Sequence, residues 1–378
     1  MPIAGALCIA VAFGVSACGD DNSSTSDSSS TDSTTTQAQA ADPIVDQAKA
    51  EVAKLSGNPG IGIDAKLSKA PPQGKTFLFL QCNYPVCAQI GDGMQEAATA
   101  LGWKFERKTF DLAKPESLVS AVNNAAQQPP DFLALTTFPS QVWADGLEKL
   151  KAAKVPVIVG SISGDEPQGE ANGIYGNIAS DPSEGNAGAA KANWIIADSG
   201  GKGKAVHFSA TDIATTHAET DQLKAGLEKC SGCSLDVVDV PSAGFAKIAG
   251  QTVSYLQAHP DTEYISYSFG DMTAGVDAAL KAAGLLDKIK FVGVTPTLAN
   301  LQAMKKGEEK GAWLGWPAAL QGWEFVDVAA RLSVGDEVGD AASPVLPVQW
   351  LTQDTIKEPI ALYEPEGYQD AYKTLWGV

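Results

Sequence analysis

Positively charged and imidazole side chains are scarce in this 378-residue chain. Arginine occurs only at Arg107 and Arg331, and histidine only at His207, His217 and His259. Bidentate arginine clamps for phosphate or carboxylate ligands, and histidine-rich metal sites, are therefore disfavoured. Lysine and arginine together number 27 against 45 aspartates and glutamates, which gives a net charge of −18. Binding to a nucleic-acid backbone needs the opposite sign of charge, so no nucleic-acid partner is expected.

Familiar catalytic signatures are also missing. The sequence contains no Gly-x-x-x-x-Gly-Lys-Ser/Thr phosphate loop, no His-Glu-x-x-His and no Gly-x-Ser-x-Gly. His207 lies on an apolar strand pattern that is typical of a core histidine, and His217, after a loop, is only a somewhat better site candidate. These observations predict a protein that is not an enzyme and carries no cofactor or metal. An exported enzyme stays open as an alternative, which turnover of a bound compound would support.

No apolar run is long enough to cross a bilayer. The run over residues 3–15 suits the core of a signal peptide instead. It leads into Val-Ser-Ala-Cys-Gly-Asp, which resembles the lipobox of bacterial lipoproteins and implies a diacylglycerol on Cys18 after a signal peptide over residues 1–18. No lysine or arginine precedes Lys49, so the usual basic start is missing. A start upstream of Met1 and an ordinary secretory signal with a chance cysteine are both open alternatives.

A polar tract follows the apolar run. Residues 23–36 are all serine or threonine apart from two aspartates, a composition that cannot bury apolar surface. Residues 19–41 are therefore predicted to be a linker that holds a folded domain away from a membrane. Residues 42–74 are predicted to be a lead-in helix, with apolar residues at helical spacing up to position 55, and a loop.

Four cysteines lie in the expected folded part, in two close pairs: Cys82 with Cys87 and Cys230 with Cys233. Two local disulfides, one four-thiolate zinc site and a redox-active pair are the competing chemistries. Export to an oxidising space favours disulfides. The pairs lie almost 150 residues apart, and nothing in the sequence brings them together as a zinc site requires.

Short apolar runs alternate with helical patterns from residue 75 onward. Strands are predicted at 76–81, 103–110, 131–135, 155–159, 205–208, 235–240, 263–267 and 290–294, and helices at 88–101, 115–127, 142–152 and 184–197. Continuous apolar strands between amphipathic helices predict an α/β fold with parallel sheets covered on both faces. Two such series predict two doubly wound lobes. A ligand is then expected between the lobes, at the carboxyl ends of the strands.

An ordered series of short motifs resembles ribose-type, or type I, periplasmic binding proteins over about residues 75–350. The motifs are Asn83-Tyr84-Pro85, Gly91-Asp92-Gly93-Met94, Ile178-Ala-Ser-Asp181 with Glu184-Gly185, Gly201-Lys-Gly-Lys204, His259-Pro260-Asp261, Asp271-Met272 and Phe291-Val-Gly293. The resemblance implies a monomeric, extracytoplasmic receptor that delivers a small molecule to the permease and ATPase of an ABC importer, with contact to the membrane only through its lipid anchor.

The same resemblance implies two lobes with three hinge crossovers, near Ser180, Gly315 and Val345. The N-terminal lobe would comprise residues 75–180 plus 316–345, and the C-terminal lobe residues 181–315 plus 346–378. A sensory protein of the same fold, which signals to a membrane receptor, is an open alternative that sequence does not separate from an import receptor.

The chain departs from this family where sugar-binding members carry charged and amide side chains. Ser161-Ile162 align with the family's Asp-Arg after the fourth strand, and Phe269-Gly270 align with an Asn-Asp pair. Leu223 takes the place of an arginine, and Thr295 takes the place of an aspartate. At the hinge, Gly315, which precedes Trp316, replaces a glutamine. A sugar would lose several charge-assisted hydrogen bonds, each worth ~1.5–3 kcal/mol.

The expected ligand contacts are instead aromatic rings, small polar side chains and one acid. They are Asn83, Tyr84, Thr137, Phe138, Ser161, Thr211, Asp212, Phe245, Phe269, Thr295 and Trp316. Such a set favours a ligand less polar than a simple hexose or pentose, for example an aromatic one. A cation over the rings and a sugar, as in other importers of this family, are the alternatives.

Overall fold

The computed structural model describes residues 42–162, 166–179 and 187–378. The first helix is α1 (Pro43–Lys54), and the first lobe then follows as strands and helices in alternation. Its elements are β1 (Thr76–Cys82), α2 (Pro85–Ala100), β2 (Lys104–Phe110), α3 (Pro115–Gln127), β3 (Phe132–Thr136), α4 (Ala144–Ala152), β4 (Val157–Gly160) and β5 (Ile174–Ile178). The five strands form one parallel sheet in the order β2-β1-β3-β4-β5.

The second lobe repeats this alternation around a six-stranded sheet. Its elements are α5 (Ala187–Ser199), β6 (Lys204–Ser209), α6 (Ala214–Leu227), β7 (Ser234–Asp239), α7 (Ile248–Ala258), β8 (Tyr264–Tyr267), α8 (Val276–Ala282), β9 (Lys290–Val294), α9 (Leu298–Lys305) and β10 (Gly311–Gly315). The strand order is β11-β10-β9-β8-β6-β7, and only β11 (Gln349–Leu351) runs antiparallel to its neighbour. The prediction of two doubly wound α/β lobes is confirmed.

Close helix packing joins the late part of the chain to the first lobe. Helix α10 (Ala318–Val334) lies against α2, and two glycines make this contact possible. A Cβ atom on Gly93 would collide with the backbone of Ala319, and one on Gly322 would collide with the carbonyl oxygen of Ile90. Because these two positions carry no side chain, the two helix backbones can pack closely, and the helix pair covers the first sheet.

The chain passes between the lobes more often than the sequence predicted. It leaves the first sheet after Ile178, returns between β10 and α10, and enters the second sheet again at β11. Two further passages are added at the ends of the chain. Helix α1 packs on α5 of the second lobe before the chain reaches β1, and helix α11 (Tyr368–Trp376) packs on α10 of the first.

The assignment of residues 346–378 to the C-terminal lobe is therefore wrong for α11. The rings of Tyr368, Tyr372 and Trp376 all lie within 6 Å of the Trp323 ring on α10. Burial of this aromatic face explains why the last helix joins the first lobe. The segment between α1 and β1 also contacts α11, since the amide of Leu67 donates to the carbonyl oxygen of Leu375 at 2.9 Å.

The structure joins the cysteines as the two local disulfides that export favours, Cys82–Cys87 and Cys230–Cys233. Across the described ranges, no helix has both the length and the apolar character that a membrane span needs. The predicted signal peptide (1–18) with Cys18, the linker (19–41) and the crossover at Ser180 lie outside the described residues.

Candidate ligand-binding site

A cavity of about 170 Å³ lies between the lobes, at the carboxyl ends of strands from both sheets. The first sheet contributes the ends of β1, β3 and β4, and the second contributes those of β8 and β9. Its volume is close to that of an apolar cavity that holds one benzene ring, ~150 Å³. The cavity therefore has room for a molecule of about one ring.

Three side-chain types dominate the wall. Rings are supplied by Tyr84, Phe269 and Trp316, aliphatic surface comes from residues such as Ile90 and Ile213, and hydroxyl groups surround them. The hydroxyl groups belong to Thr136, Thr137, Ser161, Thr216, Ser268 and Thr295. Such a wall offers stacking surface together with neutral hydrogen-bonding groups.

Strained backbone is concentrated at this cavity. Among the residues that the structure describes, five other than glycine have a left-handed backbone, and Thr137 (φ 85°), Ser161 (φ 51°) and Thr295 (φ 53°) line the cavity. The conformation is especially unusual for β-branched threonine. Each residue directly follows a strand, and its amide donates to a carbonyl oxygen of the next strand: Gly160, Ile178 or Leu314. Strained backbone of this kind clusters at active sites and ligand-binding sites.

Six of the eleven residues expected to contact a ligand line this cavity. They are Tyr84, Thr137, Ser161, Phe269, Thr295 and Trp316. The geometry thus brings together small and aromatic residues that directly follow strands of both sheets. Ligand contact itself stays a prediction for all eleven.

The other five lie outside the cavity lining, and each has another role. Asn83 bonds to Asp111 and to the amide of Leu112, whereas the Asp212 carboxylate accepts from the amide and hydroxyl of Ser242. Phe138 packs against Phe110, and Phe245 packs edge-on against Phe269 with ring centres 5.7 Å apart. The carbonyl oxygen of Thr211 bonds to the ring of His217. Asn83 and Phe245 therefore support the cavity wall from behind.

One partner of a buried ion pair lines the cavity. The Lys191 ammonium on α5 is fully buried, pairs with the Glu219 carboxylate on α6 and donates to the carbonyl oxygen of Tyr267 at 3.0 Å. Glu219 lines the cavity. Burial lowers the pKa of Lys191 and raises the pKa of Glu219, and the attraction between the two charges opposes both shifts. The pair presents no net charge to the cavity.

His207 lies in the core of the second lobe and not in the cavity wall. Its ring nitrogens lie 3.1 Å from the Ser266 hydroxyl and 3.2 Å from the Thr220 hydroxyl. Burial is the largest cause of a pKa well below the ordinary histidine value, and the Lys191 charge lowers it further. His207 is thus neutral and fully bonded, as the apolar strand pattern predicted for a core histidine.

The charged groups at the cavity are few and acidic. Asp271 at the rim has no hydrogen-bond or ion-pair partner within the described ranges, and burial of its carboxyl raises its pKa. Of the described residues, no lysine, arginine or histidine lines the cavity. Arg107 instead pairs with Asp92, and Arg331 with Asp327. The described part of the chain also holds no group of three or more His, Cys, Asp or Glu able to hold a metal ion.

Several wall residues were missed by the sequence reasoning. Cys82 and Cys87 were interpreted only as a structural disulfide, although they enclose the loop that carries Tyr84. Thr216 and Glu219 lie three residues apart on α6 and so share a face, which their spacing could have indicated. Gln321 gave no signal, because only the tertiary structure brings the start of α10 to the cavity.

Two lobes around a small polar–aromatic cavity define a receptor that encloses a small molecule between its domains. A model of the periplasmic binding protein domain matches residues 77–337, more than half of the chain. The chain therefore belongs to the periplasmic binding protein family. It is a binding protein and not an enzyme, and membership of this family places it outside the cytoplasm.

Known relatives agree with this assignment. The ribose import binding protein of Salmonella typhimurium is 24% identical over 259 residues, which cover 68% of this chain and 83% of that protein. A solute-binding protein from Agrobacterium vitis, solved with α-D-tagatopyranose, superposes with a TM-score of 0.64 at 17% identity over 77% of this chain and all of that one. The 5-methylthioribose transporter solute-binding protein of Thermotoga lettingae gives 0.63 at 14% identity over 79% and 98%. These likenesses agree with membership of the periplasmic binding protein family, whose members are solute-binding proteins.

Proposed function

We propose that this protein is a lipid-anchored receptor that captures a weakly polar, single-ring solute between its lobes and delivers it to an ABC permease. The observation that carries the ligand class is the composition of the cavity wall. Three aromatic side chains and six serine and threonine hydroxyl groups line it, and the described wall contributes no basic side chain.

This wall is poorly suited to a simple hexose or pentose. A monosaccharide presents hydroxyl groups around its whole ring, and each one that is buried needs a partner. The ribose import binding protein and the tagatopyranose-bound neighbour show that the family and its fold serve sugars. Here, however, the positions where the family carries Asp-Arg and Asn-Asp hold Ser161 and Phe269, and both face the cavity. Stacking with a few neutral hydrogen bonds fits these residues better.

Native mass spectrometry of gently purified protein tests the ligand class, followed by release and identification of any bound molecule. We expect one adduct with an aromatic or otherwise weakly polar ring. Calorimetry with ribose, glucose and galactose is the matched measurement, and we expect little or no heat. Release of a monosaccharide, or tight binding of any of the three sugars, would overturn the ligand class and leave the receptor role intact.

The proposed anchor is tested separately. Metabolic labelling with a tagged fatty acid should label the wild-type chain, and Cys18→Ala should abolish the label and release the protein from membranes. The control is Cys8→Ala, which removes the other cysteine of the predicted signal peptide and should change neither result. Retention of the label in Cys18→Ala would contradict lipid attachment at this residue.

A further inference from the structure

One buried amide links the hinge to the first lobe at the cavity. Gln321, in the first turn of α10, is fully buried and lines the cavity. Its side-chain oxygen accepts from the indole N–H of Trp316 at 3.4 Å, and its amide nitrogen donates to the Ser161 hydroxyl at 3.3 Å. These are its two side-chain partners among the described residues. Trp316 lies in the hinge passage after β10, and Ser161 directly follows β4.

The direction of these two hydrogen bonds follows from chemistry. An indole N–H can only donate, so the side-chain oxygen of Gln321 must face Trp316. The amide NH₂ then has to face Ser161, and it can only donate. The Ser161 oxygen is thereby used as an acceptor. Its own proton has no partner among the described residues and is free to point into the cavity.

Backbone geometry keeps Ser161 in this position. Its left-handed conformation (φ 51°) is held by its amide, which donates to the carbonyl oxygen of Ile178 at 2.8 Å. The Trp316 ring is half-buried beside it and lines the same cavity. One side chain, Gln321, therefore orients both a stacking surface and a hydroxyl donor toward one ligand.

We infer that Gln321 is the positioning residue that makes Ser161 a hydrogen-bond donor to the solute, so that the solute carries an acceptor atom on the ring that stacks against Trp316. This inference rests on the proposed function of the cavity. The class it specifies is a ring with a carbonyl, ether or unprotonated nitrogen acceptor directed at Ser161. A ring that offers only an N–H donor at that point would leave the Ser161 proton without a hydrogen-bond partner, which costs affinity.

Pyridine and pyrrole form a matched pair of probes, because one ring offers only an acceptor and the other only an N–H donor. The full chain is labelled with 5-fluorotryptophan, and the Trp316 resonance in the ¹⁹F spectrum is assigned by its loss in Trp316→Phe. Each probe is titrated at mildly alkaline pH, where pyridine is neutral. We expect pyridine to bind roughly three- to tenfold more tightly than pyrrole, the effect of one neutral hydrogen bond.

Three variants separate positioning from a purely structural role. Ser161→Ala should lower the affinity for pyridine to that for pyrrole without moving the Trp316 resonance. Gln321→Met should move or broaden that resonance and bring the affinity ratio close to one. Gln353→Met, on an exposed glutamine outside the cavity, should leave both unchanged.

The outcomes distinguish the inference from the function on which it rests. Equal binding of the two probes by the wild type, or an unchanged ratio in Gln321→Met, overturns the inference while the cavity remains the solute site. If neither probe perturbs the Trp316 resonance and the protein also releases no solute, the proposed site itself is wrong.

Discussion

Replacing Lys191 with methionine should destabilise the protein strongly, since it leaves the Glu219 carboxyl buried without its ion-pair partner. Lys191 is fully buried and Glu219 is 7% exposed. The loss of one partner from such a pair costs ~3–5 kcal/mol. The carbonyl oxygen of Tyr267 also loses its 3.0 Å hydrogen bond. For a chain of this size the cost corresponds to a fall in melting temperature of roughly 4–7 °C.

Equilibrium unfolding in urea, followed by circular dichroism and by tryptophan fluorescence, measures the loss. Glu219→Gln is the partner variant, and the double variant completes a cycle. We expect the double variant to cost clearly less than the two single costs added together, because it leaves no unpaired charge. Additive costs, or a loss below about 1 kcal/mol for Lys191→Met, would refute the claim that the two charges depend on each other.

Three further predictions concern the core and the cavity wall. Burial raises the pKa of Glu324 well above its ordinary value of 4.5, so the folded chain keeps a proton that the unfolded chain releases, and this group lowers stability by up to ~1.4 kcal/mol per pH unit above 4.5 until its folded pKa is reached. Glu324→Gln should therefore make the fall of stability with pH less steep in urea unfolding, although Glu309 and Glu364, whose pKa values burial also raises, still contribute, and parallel slopes for variant and wild type would contradict the assignment. Gly93→Ala should cost ~1–3 kcal/mol in the same assay, because the new methyl group collides with the backbone of Ala319, and an unchanged stability would mean that the helices separate freely. Replacing Cys82 and Cys87 by serine should cost about 2 kcal/mol of stability and weaken binding of the solute that the protein releases, because this disulfide lines the cavity. Replacing the cysteines of the second disulfide by serine should lower stability alone, and calorimetry with both variants measures the difference.

The fold was predictable because each element carries its own pattern. The buried apolar run that became β3 and the amphipathic run that became α3 need no distant information to be recognised. Helix α11 shows the limit. Tyr368, Tyr372 and Trp376 recur at helical spacing in the sequence, but nothing in that spacing says that Trp323 of the first lobe covers them.

The cavity was only partly predictable for a related reason. Residues that directly follow strands, such as Ser161 and Thr295, are placed by the topology of a doubly wound sheet, so strand prediction finds them. Gln321 lies on a helix and meets Ser161 across 160 positions of sequence, which no local pattern contains. Asp212 lies outside the cavity lining for the same reason: its carboxylate accepts from the amide and hydroxyl of Ser242, which is 30 positions away in the sequence, and no local pattern indicates that pairing.

The two extra passages of the chain bear on how the receptor opens. Opening a cleft requires every connecting segment to change its backbone angles together. In this molecule five segments must do so, since the segment after α1 and the one before α11 join the three at the hinge. One of the five also carries Glu364, whose carboxylate accepts from the amides of Ala319 and Leu320 at the start of α10. Five connecting segments therefore resist opening of the receptor. We expect the segment whose backbone changes most slowly to set the rate of solute release.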